Sequence, residues 1–311
     1  MRSQRLSGVV SAAVLIFAVT ACISVHNRDE DPDHKTWAQK LTTLRSEGPR
    51  KRILLLPFLN DSQEKDPSVA RTGRDALVQG LRLTDNFIIL DNTDIPKDLK
   101  QYIKNGAYDV DEISKVAAEM GVVAIIEGKV LEIKARKTGD EVGLIRSLTA
   151  VVTSTVAVRV FSAANNREIL NEVRSATSEA KTHHIADSSH YNLAADPELI
   201  HDSLYSAFQG MILPITKSVD KINWNGRVAL VSGDRIYLNA GRITGINIGD
   251  ILRVTDEGEE IYDPNTGVLL GKAPGRMKGT LEVVSYFGKD GCITVVHSGS
   301  GFKENDKVEL Y

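Results

Sequence analysis

The sequence predicts an α+β fold in two parts, an α/β layer domain followed by a small all-β barrel or sandwich. Three observations predict it. Apolar runs and amphipathic stretches alternate as β-α-β-α-β between Ile53 and Gly128. Strict period-2 alternation follows, from Leu148 to Phe161. From Gly226 onward the chain consists of short β-runs parted by Gly and Asp turns, with no helical pattern of useful length.

The elements read in order as follows. Arg2 and Arg5 precede an uncharged apolar run, Gly8 to Ala21. That run falls within the roughly 7–15 residues of a signal-peptide core. It is short of the about 20 residues that a membrane-spanning helix needs. Residues 1–21 therefore read as a signal peptide and residues 22–50 as an anchor and tether. The tether opens with a polar, charge-rich stretch, Asn27 to Asp33. His34 to Glu47 is expected to form one short helix, with Trp37, Leu41 and Leu44 at helical spacing.

Residues 51–221 read as the α/β domain. Ile53-Leu54-Leu55-Leu56-Pro57-Phe58 suits a strand buried on both faces. Asn60-Asp61-Ser62 turns the chain, Val69 to Leu83 reads as a helix, and Phe87 to Asp91 as a second strand. Ile113 to Met120 is a second helix with Asp111 as its expected N-cap, ended by Gly121. The strand Val122 to Gly128 follows. Lys134 to Glu141 is expected to interrupt the first stretch that could serve as a membrane-inserted hairpin with an apolar lipid face. Leu148 to Phe161 and Glu168 to Ser178 form a hairpin across Ala163–Asn166. Residues 181–196 read as a polar loop, and Pro197 to Lys217 as one helix with Pro214 near its end. Residues 222–311 read as the all-β domain.

Apolar residues at 42% and charged residues at 25% are ordinary globular values, so the chain can bury a core. Removing residues 1–21 takes away two arginines and no acid, so the formal charge of -3 becomes about -5. With no basic stripe, nucleic acid is not an expected partner. The chain has two cysteines, Cys22 and Cys292. If Cys22 carries lipid, Cys292 has no partner within the chain, and the domains must stand without a disulfide. Cys292, in Gly-Cys-Ile-Thr-Val-Val, is expected to face inward as a small apolar residue.

No chemistry-bearing constellation stands out. His183, His184, His190 and His201 lie near Asp187, Asp196 and Asp202, but their spacing matches no zinc pattern. Asp187, Ser188, Ser189 and His190 lack the Gly-x-Ser-x-Gly elbow of a hydrolase. Gly299-Ser300-Gly301 lacks the Lys-Ser/Thr of a phosphate loop. Asp263 to Gly267 lacks the later acidic ligands of a calcium loop and reads as a β-turn. The expectation is a non-enzymatic chain with no catalytic residue, cofactor or metal.

Resemblance sharpens these readings. Val19-Thr20-Ala21-Cys22 resembles a bacterial lipobox, which implies diacylglyceryl transfer to Cys22, cleavage before it, and acylation of its freed amine. Ile23, where the family's inner-membrane retention signal has Asp, implies the outer membrane, facing the periplasm. Ile53 to Asp61, Phe87 to Asp91 and Gly121 to Gly128 resemble the curli-secretion lipoprotein (CsgG) family and are similar to the amino-terminal domain of TolB-type proteins. Val231 to Asn239, Gly245 to Asp250, Glu259 to Gly267 and Phe302 to Val308 resemble the carboxy-terminal domain of the flagellar assembly protein T family. That family also carries a TolB-like domain. Together they imply a structural or assembly lipoprotein with envelope protein partners, the flagellar basal body among them, and a homo-oligomeric ring. A curli-type secretion channel subunit and a lipoprotein activator of a peptidoglycan synthase are the alternatives.

Overall fold

The computed structural model describes residues 45–46, 48–95, 98–140, 145–185 and 196–311. All of these belong to one compact unit. The architecture is mixed α+β, mostly sheet, with a closed six-stranded barrel.

The apolar run that opens the domain becomes β1, Lys51–Leu55. It pairs parallel with β3, Phe87–Leu90, on one side and with β6, Val122–Asp140, on the other. The sheet continues antiparallel through β7, Ile145–Ser162, and β8, Glu168–Ile185, in the order β3-β1-β6-β7-β8. The short β2, Leu59–Asn60, also pairs with β6. Ile53, Leu54 and Leu55 are all fully buried, because helices cover both faces of β1.

On one face lies helix α1, Pro67–Leu83. Asp66 caps it by accepting from the Ser68 amide at 2.8 Å, and Pro67 starts it without wasting an N–H. Val69, Ala76, Leu77 and Leu81 form its buried stripe. The opposite face takes α2, Val110–Glu119, capped by Asp109 rather than by Asp111. Asp109 accepts from the Glu112 amide, and Asp111 falls in the first turn, where a negative charge favours the helix dipole. Between β3 and α2 the chain forms a short 3-10 turn, Leu99–Tyr102, and the ribbon β4–β5, Ile103–Lys104 with Ala107–Tyr108.

The single helix expected over Pro197 to Lys217 is two, α3 (Pro197–Gln209) and α4 (Ile212–Asp220). Pro214 explains the break. It offers no N–H, and its ring would strike the carbonyl four residues back, at Gly210. Pro214 therefore lies in the first turn of α4 instead of ending a longer helix. Both helices pack closely on α1. A Cβ at Gly73 would lie 2.3 Å from the Phe208 ring, and one at Gly80 would lie 2.5 Å from Ile212, so only glycine lets the helices approach this far.

The strand expected over Val122 to Gly128 runs on to Asp140. β6 runs 19 residues, paired with β7 as far as Asp140↔Ser147. A strand with one solvated face takes charges at alternate positions without breaking. Of the loop expected over residues 181–196, the first part is strand, since β8 continues to Ile185, and residues 186–195 lie outside the described residues.

The tail closes into a barrel. β9 (Gly226–Ser232), β10 (Arg235–Leu238), β11 (Ile251–Thr255), β14 (Met277–Phe287), β15 (Gly291–Gly299) and β16 (Lys307–Leu310) close in the order β10-β15-β14-β11-β16-β9. The hairpin β12–β13, Glu260–Tyr262 with Leu269–Lys272, stands between β11 and β14. Asp263 to Gly267 is the turn that joins its strands, as expected. Val228, Ile236, Leu238, Leu252, Val254, Leu281, Val283, Cys292 and Val308 pack together in the barrel core. Burial pushes the Cys292 thiol up to about 12, so it stays protonated as the small apolar residue foreseen.

Sheet and barrel meet at a short strap. The Arg50 amide donates to the Thr244 carbonyl at 2.7 Å. Arg52 reaches Asp290 at 3.1 Å and also the Asn239 carbonyl. Asp290 accepts in addition from the Gly241 and Thr244 amides, both at 3.0 Å, and from the Thr244 hydroxyl at 2.6 Å.

Candidate functional site

The site residues expected from sequence are placed as follows. Cys22, Asp187, Ser188, Ser189 and His190 lie outside the described residues, as does the helix expected around Trp37, Leu41 and Leu44. His183 and His184 hold register positions on β8, opposite Ser147 and Arg146. Asp196 is the N-cap of α3, accepting from the Glu198 amide at 2.9 Å. His201 is exposed on α3, 3.3 Å from Asp202 and stacked on Tyr205. Asp263 accepts from the Asn265 and Thr266 amides at 2.8 Å, and these bonds hold its carboxyl below the usual range. Among the described residues, no group of three or more His, Cys, Asp or Glu is placed to hold a metal. None of their helices is long and apolar enough to cross a membrane, which says nothing of strands.

One buried charge lies in the sheet. Glu127 on β6 is 3% exposed and accepts from the Arg159 Nε at 2.9 Å, while the Arg159 guanidinium lies 5.1 Å from the Phe161 ring centre. Nearby, Tyr108 donates to the Pro57 carbonyl at 2.8 Å. Burial, then the Glu127 charge, pushes the Tyr108 phenol upward. A carboxylate held by a guanidinium beside a protonated phenol is a positioned polar cluster, not an acid–base pair. It ties β6 to β7.

Beyond that point β6, β7 and β8 present two unlike faces. One is covered by α3. Ala150 and Val152 pack on Leu199, and the Ser154 and Ser203 hydroxyls meet at 2.7 Å in a buried pair. The other face is open. The pairing register sets it out in rows: Glu132, Thr155 and Ser175; Lys134, Thr153 and Thr177; Arg136, Val151 and Glu179. Thr155 bonds Ser175, and Thr153 bonds Thr177, each at 2.9 Å. Lys134 pairs with Glu132 at 2.8 Å. The result is a hydroxyl ladder flanked by both signs of charge, on strands whose other face α3 covers. It can bind a partner through many polar contacts. Sequence reading found the alternation in β7 but not the partners on β6 and β8 that turn one side of it into this face. The signal was there in the Thr-x-Thr spacing at Thr153 and Thr155 and again at Ser175 and Thr177.

No protein-family model matches the chain, and no curated protein matches it. Solved structures do resemble it. A hypothetical protein from Chlamydia trachomatis is 14% identical over 55% of this chain and 98% of its own, with a TM-score of 0.35. A lipoprotein from Neisseria meningitidis is 16% identical over 54% of this chain and 99% of its own, at 0.29. The LpoB C-terminal domain from Salmonella enterica is 10% identical over 45% of this chain and 91% of its own, at 0.28. These are similarities, not assignments.

A second exposed feature lies on the barrel. Ile261, Tyr262, Val268 and Leu270 on and beside the β12–β13 hairpin are each about half exposed or more, at 48%, 52%, 58% and 65%. Four such side chains on one small hairpin exceed the scatter of single apolar residues normal on a surface.

Proposed function

We propose that the chain is a non-enzymatic lipoprotein, anchored through Cys22 to the outer membrane and facing the periplasm, that serves as a structural or assembly factor of an envelope machine. The division into a signal peptide (1–21), an anchor and tether (22–50), an α/β domain (51–221) and a β domain (222–311) belongs to the same proposal. The observation that carries the binding role is the open face of β6, β7 and β8, with its Thr153–Thr177 and Thr155–Ser175 ladder. The flagellar basal body is the machine that the tail motifs support, through their resemblance to the flagellar assembly protein T family.

The alternative of a secretion channel meets a physical obstacle on that face. β6 and β7 are long enough to cross a bilayer, but Lys134 and Arg136 project with Glu132 and Glu179. A lysine or arginine on the lipid face of a barrel costs about 2–4 kcal/mol at the bilayer midplane. Deleting the gene should impair swimming and remove periplasmic density around the motor in cell imaging. A deletion strain with normal swimming and normal motors would contradict the flagellar reading. Purified protein that conducts ions in planar bilayers would favour the channel.

A further inference from the structure

The two edges of the main sheet are unlike. β3 closes one edge with 4 residues. A strand that short offers little backbone to another chain. β8 forms the other edge with 18 residues, and no described strand pairs with its outer side. Its pairing with β7 is regular from Leu170 to Ile185, the one register shift lying before Leu170. It has no proline, and its middle, Ser175-Ala176-Thr177-Ser178, carries only small uncharged side chains. Monomeric proteins usually blunt a long edge with proline, a bulge or an inward-pointing charge. None of these devices interrupts residues 175–178.

We propose that β8 is a self-association edge, pairing antiparallel with β8 of a second copy about a twofold axis perpendicular to the sheet, with Ala176 opposite its own counterpart. A twofold axis in that direction keeps the helix-covered faces on one side and the open faces on the other. Ala176 lies near the middle of the strand, so this register overlaps almost its whole length. It places Ser175 opposite Thr177 of the second copy, which continues the Thr155–Ser175 and Thr153–Thr177 hydroxyl ladder across the junction. Val173, 57% exposed, comes opposite Glu179 of the second copy, Arg174 opposite Ser178, and Asn171 opposite Lys181. No like charges face each other, the arrangement that would oppose pairing. The open face then becomes one surface of twice the area, independent of whether the flagellar reading holds.

Cysteine cross-linking of the full chain in membranes tests this. Directly opposed residues in an antiparallel pair have Cα atoms about 4.5–5.5 Å apart, within disulfide range. Ala176→Cys should therefore give an oxidised dimer that the parent chain does not give, since Cys292 is fully buried. Val173→Cys should not link to itself, because its counterpart would lie about 20 Å away along the strand. It should link when mixed with Glu179→Cys. Adding Ser175→Lys and Thr177→Lys to the Ala176→Cys chain should abolish the dimer while leaving its melting temperature unchanged. No dimer from Ala176→Cys, equal self-linking by Val173→Cys, or survival of the dimer with both lysines would each overturn the proposal.

Discussion

Replacing Phe208 with alanine is expected to remove about 3–5 kcal/mol of stability, the range for emptying a buried aromatic site. Phe208 is fully buried in the core between the sheet and its helices. Its ring centre is 5.0 Å from that of Phe58, and Gly73 of α1 has no side chain that could fill the space it vacates. The cavity would be walled by the backbone of α1, so collapse would be poor. At 2–4 °C per kcal/mol for a domain of this size, the melting midpoint should fall by roughly 6–20 °C. Circular dichroism melting checks it. A fall under 3 °C would show that the α1–α3 contact is not the structural centre described.

Asp290→Ala should be nearly as costly, about 3–5 kcal/mol, because it breaks a shielded pair and strands its partner. The Arg52 and Asp290 side chains are only 15% and 13% exposed, so solvent screens them little. Asp290 also satisfies the Gly241 and Thr244 amides and the Thr244 hydroxyl. Arg52→Ala should cost less, since Asp290 keeps those three bonds. Urea unfolding of the two variants and their double measures the difference. Equal losses for both single variants would mean that the loop bonds contribute nothing, against the geometry.

Local signals made much of this fold legible in the sequence. The run Ile53 to Phe58 announced a strand buried on both faces, and Ile53 and Leu54 do face opposite helix layers. The period-2 run through Val152 and Val156 announced β7. What failed was what depends on a neighbour. The strand from Val122 reads only to Gly128 because the apolar run ends soon after it, and nothing local shows that β6 goes on with one face solvated. Pro214 reads as lying near the end of one helix because the apolar residues Phe208, Met211 and Ile212 continue the helical spacing almost up to it. Barrel and sandwich stayed undivided because closure depends on β9 meeting β10 and β16 at once. Arg52 and Asp290 are 238 residues apart, and nothing local to either marks it as a partner. The open hydroxyl face was written in alternate residues of two strands, but it becomes a surface only once their register is known.

The claim that most of this account rests on is the anchor at Cys22. Feeding cells an alkyne fatty acid and probing the purified chain by click chemistry measures it directly. The account predicts labelling of the parent chain, no labelling of Cys22→Ala, and release of that variant from the membrane fraction. Continued labelling and membrane retention of Cys22→Ala would contradict it.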